Sequence, residues 1–528
     1  MGRGANEMRR ATVRVKMGRR LTEILNSSSS GKFRLILVAA FAVVSLLLAA
    51  ALLSPESPFF YLPLRIALSS RRPRIYDPTC DSRRDHHSYS ATKYHRTPSP
   101  QPSPYLLAKL RDYEDLHRRC GPLSDPTLNP QEFRTDDCKF VVYAPSQGLG
   151  NRILGLSSTF LYALLTNRVL LVEFGPDMED LFCEPFPNST WYLPETFPFR
   201  FQLQTYRFRK AYSFGTLLQK KEEDQQKKGG KFSLLDSSAP ALLQIFLQDK
   251  YNDYDKLFFR DENQGFVHRV PWLALVHDGY FIPCLFQMQS FRSELEKLFP
   301  DQETVFHHLA KYLLSPSNEA WGHITGFYEA YLAKAEERIG YQIRVFEPKK
   351  TPFPAVMKQI MSCTQKHRIL PQSSEVALRN ETSKSILVAS LSRKYYEEID
   401  SMYGERSHCG IAVYQASHEG KQHFGDNSHN MKAWMDIYLL SMSDVLVTSS
   451  MSTFGYVAAG IAGVRPWIVM IPDPYHPRGA DEPSCERAVN IEPCFHFPPW
   501  FAYPDQPGTV GPVARCEDVS WGLKIVGG

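Results

Sequence analysis

Apolar positions in the second quarter of the chain alternate between short runs and helical spacing. Residues 140–143 form an apolar run that predicts a buried strand, and a glycine-containing turn follows at 144–150. Apolar side chains then recur at helical spacing from Ile153 to Leu165, before a second apolar run at 169–172. This order of strand, loop, helix and strand is typical of a parallel sheet.

A second alternation begins near Gly340 and predicts another α/β domain. Its predicted strands lie at 341–346, 385–390, 445–448 and 467–470, and its predicted helices at 354–365, 394–402, 431–442 and 454–463. We therefore expect an α/β fold with two facing Rossmann-like domains, an N-terminal lobe at 126–335 and a C-terminal lobe, with a tail, at 336–528. The polar stretch 215–265 is predicted to be an insertion.

Ligands in open parallel sheets bind beyond the carboxyl ends of the strands. We therefore expect the functional site in the loops that follow Tyr143, Arg344, Ser390 and Thr448.

One apolar run near the N-terminus has the length of a membrane span. Residues 35–53 carry no charge and would reach about 28 Å as a helix, close to the thickness of a bilayer core. Residues 1–34 hold nine Lys and Arg against two Glu, so the positive-inside rule predicts a cytosolic tail, a signal-anchor and a lumenal remainder. A cleaved signal peptide is the alternative, although its apolar region would be shorter. Residues 54–125 include a proline-rich run and are predicted to be an extended stem.

The composition and net charge of the chain argue against some classes of protein. The chain is 43% apolar and 22% charged, which is an ordinary globular balance. Outside the basic tail the net charge is about −2, so a nucleic-acid-binding face is not expected.

Ten cysteines follow the predicted span, and none has the spacing of a zinc site, so we expect disulfides whose pairing the sequence leaves open. Asn188 and Asn380 begin lumenal glycosylation sequons.

The first candidate for binding chemistry is the turn Gly148-Leu149-Gly150-Asn151-Arg152. Its glycines let backbone amides approach an anion, and the following helix offers its positive end. No Gly-Lys-Ser/Thr follows, so the turn is not a P-loop. The alternative is a tight turn in which Arg152 makes a salt bridge, and the sequence does not decide between the two.

Arg344 lies in an apolar predicted strand, where an unpaired charge is costly. A pyrophosphate at the end of the strand would match its planar donors, and a structural ion pair is the alternative. A third candidate is the hydroxyl-rich loop at 448–455, which suits phosphate oxygens and has helix capping by Ser452 or Thr453 as its alternative. A fourth is Asp278, a lone carboxylate after an apolar run that could accept a hydroxyl proton or could be a turn residue before Gly279.

Three further patterns are weaker. Asp253-Tyr-Asp255 matches a manganese-binding pattern of sugar-nucleotide enzymes but is short and lies in the polar stretch. His418, His423 and His429 lie in a polar loop and are expected to be solvated. The aromatic residues within 197–212 could stack on sugars or belong to the core.

Together these blocks resemble the plant xyloglucan fucosyltransferase family, glycosyltransferase family 37, over roughly residues 130–505. The turn at 148–152, the strand around Arg344 and the segment from Leu446 to Ile468 are the blocks that match most specifically. The resemblance implies a GT-B-like variant with facing Rossmann-like lobes. It also implies a Golgi type II membrane protein that moves L-fucose from GDP-fucose to a terminal sugar hydroxyl through an inverting, metal-independent α-1,2 transfer without a cofactor. Galactose of xyloglucan and arabinose or galactose of arabinogalactan proteins are the implied cell-wall acceptors.

The resemblance also implies roles for individual residues. Arg344 would hold the β-phosphate of GDP, and Asp278 falls where this family is proposed to have its base. Donor contacts are implied for Gly148, Gly150, Asn151, Arg152, Ser390, Leu391, Ser449, Ser450, Ser452, Thr453, Phe454 and Gly455.

Two departures from the family concern the choice of acceptor. Met451 stands where the family usually has Trp, and Gly279-Tyr280 follows Asp278. An inactive, membrane-tethered sugar-binding protein on the same fold is the alternative function. The oligomeric state stays open, with a homodimer as one arrangement that the sequence permits.

Overall fold

The computed structural model describes residues 80–88, 99–122, 138–194, 197–200, 213–228, 238–248, 253–370, 382–404, 410–471, 483–506 and 511–527. None of the helices in these ranges combines the length and apolar character that a membrane crossing requires. The predicted cytosolic tail and the predicted transmembrane segment at 35–53 lie outside the described residues.

The described residues alternate between helices and strands. The helices are α1 Asp81–Ser88, α2 Pro104–Cys120, α3 Leu149–Thr166, α4 Phe214–Lys228, α5 Asp261–Arg269, α6 Ile282–Gln287, α7 Gln289–Leu298, α8 Val305–Leu313, α9 Asn318–Phe327, α10 Phe353–Lys366, α11 Arg393–Tyr403, α12 Asn427–Ser441 and α13 Thr453–Ala462. The strands are β1 Lys139–Pro145, β2 Arg168–Val172, β3 Leu242–Phe246, β4 Trp272–His277, β5 Glu337–Ile343, β6 Lys384–Ser390, β7 Ile411–Tyr414, β8 Val445–Ser449, β9 Trp467–Val469, β10 Cys485–Arg487, β11 Val513–Arg515 and β12 Leu523–Ile525.

The N-terminal lobe contains a four-stranded parallel sheet in the order β2-β1-β4-β3. In its register, Phe140 pairs with Val169 on one side and Trp272 on the other. Its central strands are buried on both faces, which is why they read as continuous apolar runs. Helix α3 is buried along almost its whole length and ends at Asn167 in the left-handed conformation, with φ 49°.

The C-terminal lobe contains a six-stranded sheet in the order β10-β9-β8-β5-β6-β7. Only β10 runs antiparallel to its neighbour among the described strands of this sheet. One hydrophobic cluster includes Ile153 of α3 together with Trp434 of α12 and Val457 of α13. The two lobes therefore share part of their core, and this packing fixes how the ends of their strands face one another.

The described part of the predicted stem, 80–88 and 99–122, contains helices and is not an extended spacer. The side chain of Ser103 accepts a hydrogen bond from Leu106 N at 3.0 Å, and Pro104 occupies the first turn, where a missing amide hydrogen costs nothing. The face of α2 from Leu106 to Cys120 is buried, and Tyr113 Oη donates to Arg168 O of β2 at 2.8 Å. Proline here begins a helix that belongs to the N-terminal lobe.

The predicted insertion at 215–265 is also wrong as a description of the fold. It contains β3, which is an edge strand of the first sheet, and its polar residues lie mainly in α4. The predicted strand at 341–346 ends earlier than expected, at Ile343. The other predicted strands and helices of the two sheets are present within a few residues of their expected ends.

Four disulfides confirm the expected use of the cysteines. They join Cys80 to Cys183, Cys120 to Cys138, Cys363 to Cys485 and Cys494 to Cys516. Cys284 is buried as a free thiol, and burial raises its pKa. The first two bridges tie the segments before β1 to the N-terminal lobe.

Candidate functional site

A cleft of about 730 Å³ lies at the carboxyl ends of the parallel strands of both sheets. The loop after β1, Asp278 after β4, Arg344 after β5, Ser390 at the end of β6 and the loop after β8 all line it. Strand ends from the two lobes thus meet at a single site, as expected for ligand binding in open parallel sheets. Helix α12 and the segment at 496–497 complete the walls.

Arg344 is the first residue after β5 and points into this cleft. Its backbone amide donates to Ser449 Oγ at 2.8 Å, and its Nη2 donates to Gln422 Oε1 at 3.1 Å. The guanidinium lies 5.3 Å from the ring centroid of Phe346. Among the described residues, no carboxylate forms a salt bridge with it. The structural ion pair that was the alternative for this arginine is therefore absent from the described part of the chain.

The electrostatic state of Arg344 suits an anionic ligand. Burial lowers the pKa of its guanidinium, because desolvation penalises the charged form. The guanidinium nevertheless stays charged at any physiological pH. Arg344 is a half-buried cation whose described contacts are an amide oxygen and an aromatic ring, so its guanidinium can bind an anion.

The loop between β1 and α3 forms the opposite wall. Gly148 is the N-cap of α3, and the first amide hydrogen bond of the helix runs from Arg152 N to Gly148 O at 3.1 Å. The amides that precede Arg152 in this turn have no partner within the helix, and they carry its positive end. Glycine is needed at 150, because a methyl group there would lie 2.8 Å from Thr453 Oγ1.

Arg152 does not lie where a residue that contacts the sugar donor would be expected. Its Nη1 forms an ion pair with Asp177 Oδ2 at 2.7 Å, and its Nε donates to Gln147 O at 2.8 Å. Asn430 of α12 donates to Asp177 O at 2.9 Å. Arg152 is absent from the residues that line the cleft. The salt-bridge alternative is the one present. It joins the Gly148–Arg152 loop to Asp177, whose backbone oxygen is hydrogen-bonded to Asn430 of the C-terminal lobe.

The hydroxyl-rich loop after β8 divides into two parts. Ser452, Thr453 and Phe454 line the cleft. Ser449 lies behind it, where its hydroxyl donates to Gln342 O at 3.2 Å and accepts from the amide of Arg344. The other two predicted contacts, Ser450 and Gly455, are also outside the lining.

The start of α13 carries no hydroxyl cap of the expected kind. Ser452 is the N-cap of this helix but makes no capping hydrogen bond, while Thr453 Oγ1 donates to Asn151 Oδ1 at 2.8 Å. Met451, at φ 60°, also lines the cleft.

Asp278 lies in the cleft on the turn that follows β4. The preceding His277 is buried, and its Nε2 lies 2.8 Å from Thr159 Oγ1. Burial lowers the pKa of His277 to about 3, so this imidazole is neutral and structural. On the other side, Tyr280 Oη donates to the buried carboxylate of Glu492. The carboxylate of Asp278 is thus presented by a turn that is anchored before and after it.

Several lining residues were missed by the sequence analysis, although Ser390 and Leu391 were found. The missed lining residues that matter most are Gln342, Phe346, Gln422, Phe424, Asp436, His496 and Phe497. Burial raises the pKa of Asp436 to about 7, while its Oδ2 accepts from Ser417 Oγ at 2.6 Å. The run Pro493-Cys494-Phe495-His496 also resembles a block of the family and could have placed His496 at the site, whereas the loop that carries Gln422 has no such signal.

The weaker patterns do not gather at the cleft. Asp253 and Asp255 lie outside its lining, and Asp255 Oδ1 accepts from the amide of Phe246 at 3.3 Å. Within the described ranges, no group of three or more His, Cys, Asp or Glu side chains has the arrangement of a metal site. Of the three histidines, His429 lines the cleft. It is buried on α12, so the expectation that it is solvated in a polar loop is wrong. Phe197 is core, with its ring centroid 5.0 Å from that of Trp272.

The two sequons differ in what can be said of them. Asn188 is exposed in a turn, at φ 58°. The hydroxyl of Ser189, within the same sequon, lies 2.6 Å from His117 Nδ1 of α2. Asn380 lies outside the described residues.

Comparison with known proteins agrees with this architecture. The family model described as xyloglucan fucosyltransferase matches residues 72–503. A galactoside 2-alpha-L-fucosyltransferase of Pisum sativum is 45% identical over 458 residues, which cover 83% of this chain and 79% of the relative. Fucosyltransferase 2 of Arabidopsis thaliana is 42% identical over 469 residues, which cover 83% of this chain and 84% of the relative.

A solved structure is similar over the same region. The structure of a mutant of Arabidopsis thaliana FUT1 in complex with GDP has a TM-score of 0.69 and 43% sequence identity. The similarity covers 83% of this chain and 96% of that one. On both its sequence and its fold, the chain belongs to the xyloglucan fucosyltransferase family and is a glycosyltransferase.

Proposed function

We propose that the chain transfers L-fucose from GDP-fucose to the 2-hydroxyl of a terminal galactose, with inversion at the fucose carbon. Family membership supports the reaction class, and the cleft geometry supports the placement of the donor. The arabinose or galactose termini of arabinogalactan proteins are the second acceptor class that we propose to test. The acceptor oxygen forms its bond to C1 of fucose and gives up its hydroxyl proton, while the C1–O bond breaks and its bonding electrons leave with the diphosphate.

The observation that carries the proposal is Arg344. Negative charge grows on the β-phosphate as the C1–O bond breaks, and a preorganised cation in a partly buried site stabilises that charge far better than water does. Arg344 has no salt-bridge partner among the described residues, and its only side-chain hydrogen bond there is to Gln422. A guanidinium can exchange that single amide contact for a pair of phosphate oxygens.

The remaining donor contacts follow from the two helix starts that face Arg344. The amides at Leu149 and Gly150 and those at Thr453 and Phe454 belong to the first turns of α3 and α13. Helix starts bind phosphate groups without a metal ion, which supports a metal-independent transfer. We propose that Ser390 and Leu391, which line the cleft at the end of β6, contact the nucleoside of the donor.

Asp278 is the second catalytic residue that we propose. It lines the cleft from the N-terminal lobe, where we propose that the acceptor binds, while Arg344 lines it from the C-terminal lobe. Its carboxylate would accept a hydrogen bond from the acceptor sugar and orient the attacking hydroxyl.

We further propose that the enzyme is a single-pass type II protein of the Golgi membrane. The proposal is supported by the uncharged run at 35–53, the basic residues before it and the four disulfides after it.

The experiment that tests the function is a transfer assay with the purified full chain in detergent. GDP-fucose is supplied together with xyloglucan oligosaccharides that end in galactose, and arabinogalactan acceptors are tested in parallel. The proposal expects a fucosylated product with an α-1,2 linkage, the same rate with and without EDTA, and heat on binding GDP.

Two results would argue against parts of the proposal. No transfer to either acceptor class, together with no heat on addition of GDP, favours a sugar-binding protein on the same fold. Loss of transfer in EDTA that Mn²⁺ restores rejects metal independence.

A further inference from the structure

A chain of hydrogen bonds leads from the cleft to a carboxylate behind it. His496 lines the cleft, and its Nε2 lies 3.2 Å from Tyr456 Oη of α13. Tyr456 Oη donates to Asp518 Oδ2 at 2.6 Å. The same carboxylate oxygen accepts from the amide of Met451 at 2.8 Å. None of the donor contacts proposed above uses His496, Tyr456 or Asp518.

The direction of these bonds fixes which ring nitrogen of His496 carries the proton. Burial and Asp518 raise the pKa of Tyr456 well above 10, so the phenol keeps its hydrogen. Since that hydrogen is given to Asp518, the phenol oxygen has only lone pairs to offer to His496. Nε2 must therefore be the N–H, and Nδ1 of the neutral ring is left as a hydrogen-bond acceptor. No described residue forms a hydrogen bond with Nδ1.

His496 is held beside the turn that carries Asp278. Glu492 accepts the hydroxyl hydrogen of Tyr280, and a methyl group at Gly279 would lie 2.7 Å from Cε2 of Phe495. The segment that ends in His496 thus packs directly on the turn around Asp278. Asp278 and His496 lie on the two segments that meet in this contact. Both side chains line the cleft, on the side where the acceptor is proposed to bind.

We infer that His496 is a further catalytic residue, whose Nδ1 takes the proton of the acceptor hydroxyl during transfer. This inference rests on the proposed function. The acceptor oxygen bonds to C1 of fucose, the C1–O bond breaks with its electron pair going to GDP, and the hydroxyl proton moves to Nδ1. The imidazolium then returns the proton to water, and the Tyr456 and Asp518 pair stabilises the charge on the ring in the meantime.

The chemistry favours an imidazole for this step. A general base works best when its pKa lies near the working pH, and an unperturbed His at about 6.5 is nearer to neutrality than an Asp at about 3.9. Burial lowers the pKa of His496 and the charge of Asp518 partly opposes this, so the ring is neutral and its lone pair is available at pH 7. Asp278 then orients the hydroxyl, while His496 receives its proton.

Three substitutions at His496, made in the full chain, separate the proton-transfer role from a structural one. Asn places an amide oxygen near Nδ1, and Gln places an amide nitrogen near Nε2, but neither is a base at neutral pH. We expect transfer to the galactose acceptor to fall about 10²-fold or more in His496→Ala, His496→Asn and His496→Gln, the usual contribution of a general base. GDP affinity by calorimetry and the slow hydrolysis of GDP-fucose without acceptor should stay as in the wild type.

Rescue gives a readout that a structural role would not produce. Added imidazole should restore part of the transfer by His496→Ala, and substituted imidazoles of higher pKa should restore more. His323→Ala, which changes an exposed histidine on α9, is the matched control and should transfer fucose at the wild-type rate.

The inference is overturned if His496→Gln or His496→Asn transfers at the wild-type rate, or if all three variants lose GDP binding together with transfer. It is also overturned if added imidazole restores nothing to a His496→Ala variant that still binds GDP. A wild-type chain that transfers to no acceptor refutes the proposed function instead, so the two failures are distinguishable.

Discussion

The hydroxyl of Thr453 donates to the side-chain oxygen of Asn151 across 2.8 Å, and this bond joins the first turns of two helices from different lobes. Helix α3 begins beside Asn151 and helix α13 begins at Thr453, so the positive ends of both helices meet at one wall of the cleft. A ligand that carries two phosphates can contact both helix starts only while the distance between the two first turns is kept. The bond between these residues therefore belongs to the binding geometry as much as to the fold.

Gly150→Ala should push the first turns of α3 and α13 apart. The added methyl group would lie 2.8 Å from Thr453 Oγ1 and 3.0 Å from the backbone nitrogen of Phe454, which cannot yield as a flexible side chain could. We expect weaker GDP binding and slower transfer, measured by calorimetry and by initial rates. Gly322→Ala is the matched control, because a methyl group on that helical glycine meets nothing within 4 Å. Equal GDP affinity in the two variants would show that the helix starts tolerate separation.

Arg344→Ala should lower kcat by about 10²–10³, the range seen when one preorganised charge donor is removed from a catalytic site. Arg344→Lys should retain an intermediate rate, because an ammonium keeps the charge but not the paired donors. Initial rates with saturating GDP-fucose measure both variants. Arg393→Ala, which removes an exposed arginine of α11 in an ion pair with Glu397, is the control and should behave as wild type. Turnover at the wild-type rate in Arg344→Ala would remove this residue from the mechanism.

We expect Arg152 to stabilise the fold through its ion pair with Asp177 and to make no contact with the donor. Removing Arg152 leaves a buried carboxylate short of its charge partner, which costs a few kcal/mol of stability. We expect Arg152→Ala and Asp177→Ala each to lower Tm, and the double variant to lose less than the sum of the two. A double-mutant cycle on Tm and on GDP affinity measures the coupling. Additive losses in the cycle, with GDP affinity reduced only by Arg152→Ala, would mean instead that this guanidinium touches the phosphates.

Glu492 should make the chain less stable as the pH rises. Burial raises the pKa of its carboxyl from 4.5 to about 7, so between these values the folded chain holds a proton that the unfolded chain has lost. Stability therefore falls as pH rises from about 4.5 to 7, by about 3 kcal/mol in total at 1.36 kcal/mol per pKa step.

The variant Glu492→Gln cannot ionise, so its Tm should fall less between pH 5 and pH 8 than that of the wild type. Scanning calorimetry at several pH values makes the comparison, with Glu296→Gln, an exposed position of α7, as the control. Parallel Tm curves for wild type and Glu492→Gln would contradict the raised pKa.

Most of the sheet framework could be predicted from the sequence because its strands are buried on both faces. Val169 to Val172 and the run before Ser390 are continuous apolar segments bounded by turns, and segments of this length and composition are typical of strands in a covered parallel sheet. Helix α2 could not be predicted in the same way, because prolines before it matched an extended spacer equally well. The helix is favoured over an extended segment by the packing of its buried face, where Tyr113 contacts β2. That contact joins residues far apart in the chain, so no local pattern predicts it.

The loops that form the site could be predicted from the sequence, but the partners of their side chains could not. Arg344 and Asp278 were found because a charge in an apolar segment is costly unless it has a partner or a function. The sequence alone could not decide whether Arg152 pairs with Asp177 or with a ligand, since both outcomes place an arginine after a glycine turn. The link from His496 through Tyr456 to Asp518 joins residues that are 40 and 62 positions apart, and no local pattern marks it.

A crystal structure of the chain with GDP tests the central claim most directly. The account predicts that the diphosphate lies in the cleft, with the guanidinium of Arg344 moved from Gln422 onto the β-phosphate and the starts of α3 and α13 facing it. A complex in which Arg344 stays on Gln422 while GDP binds elsewhere would contradict the account.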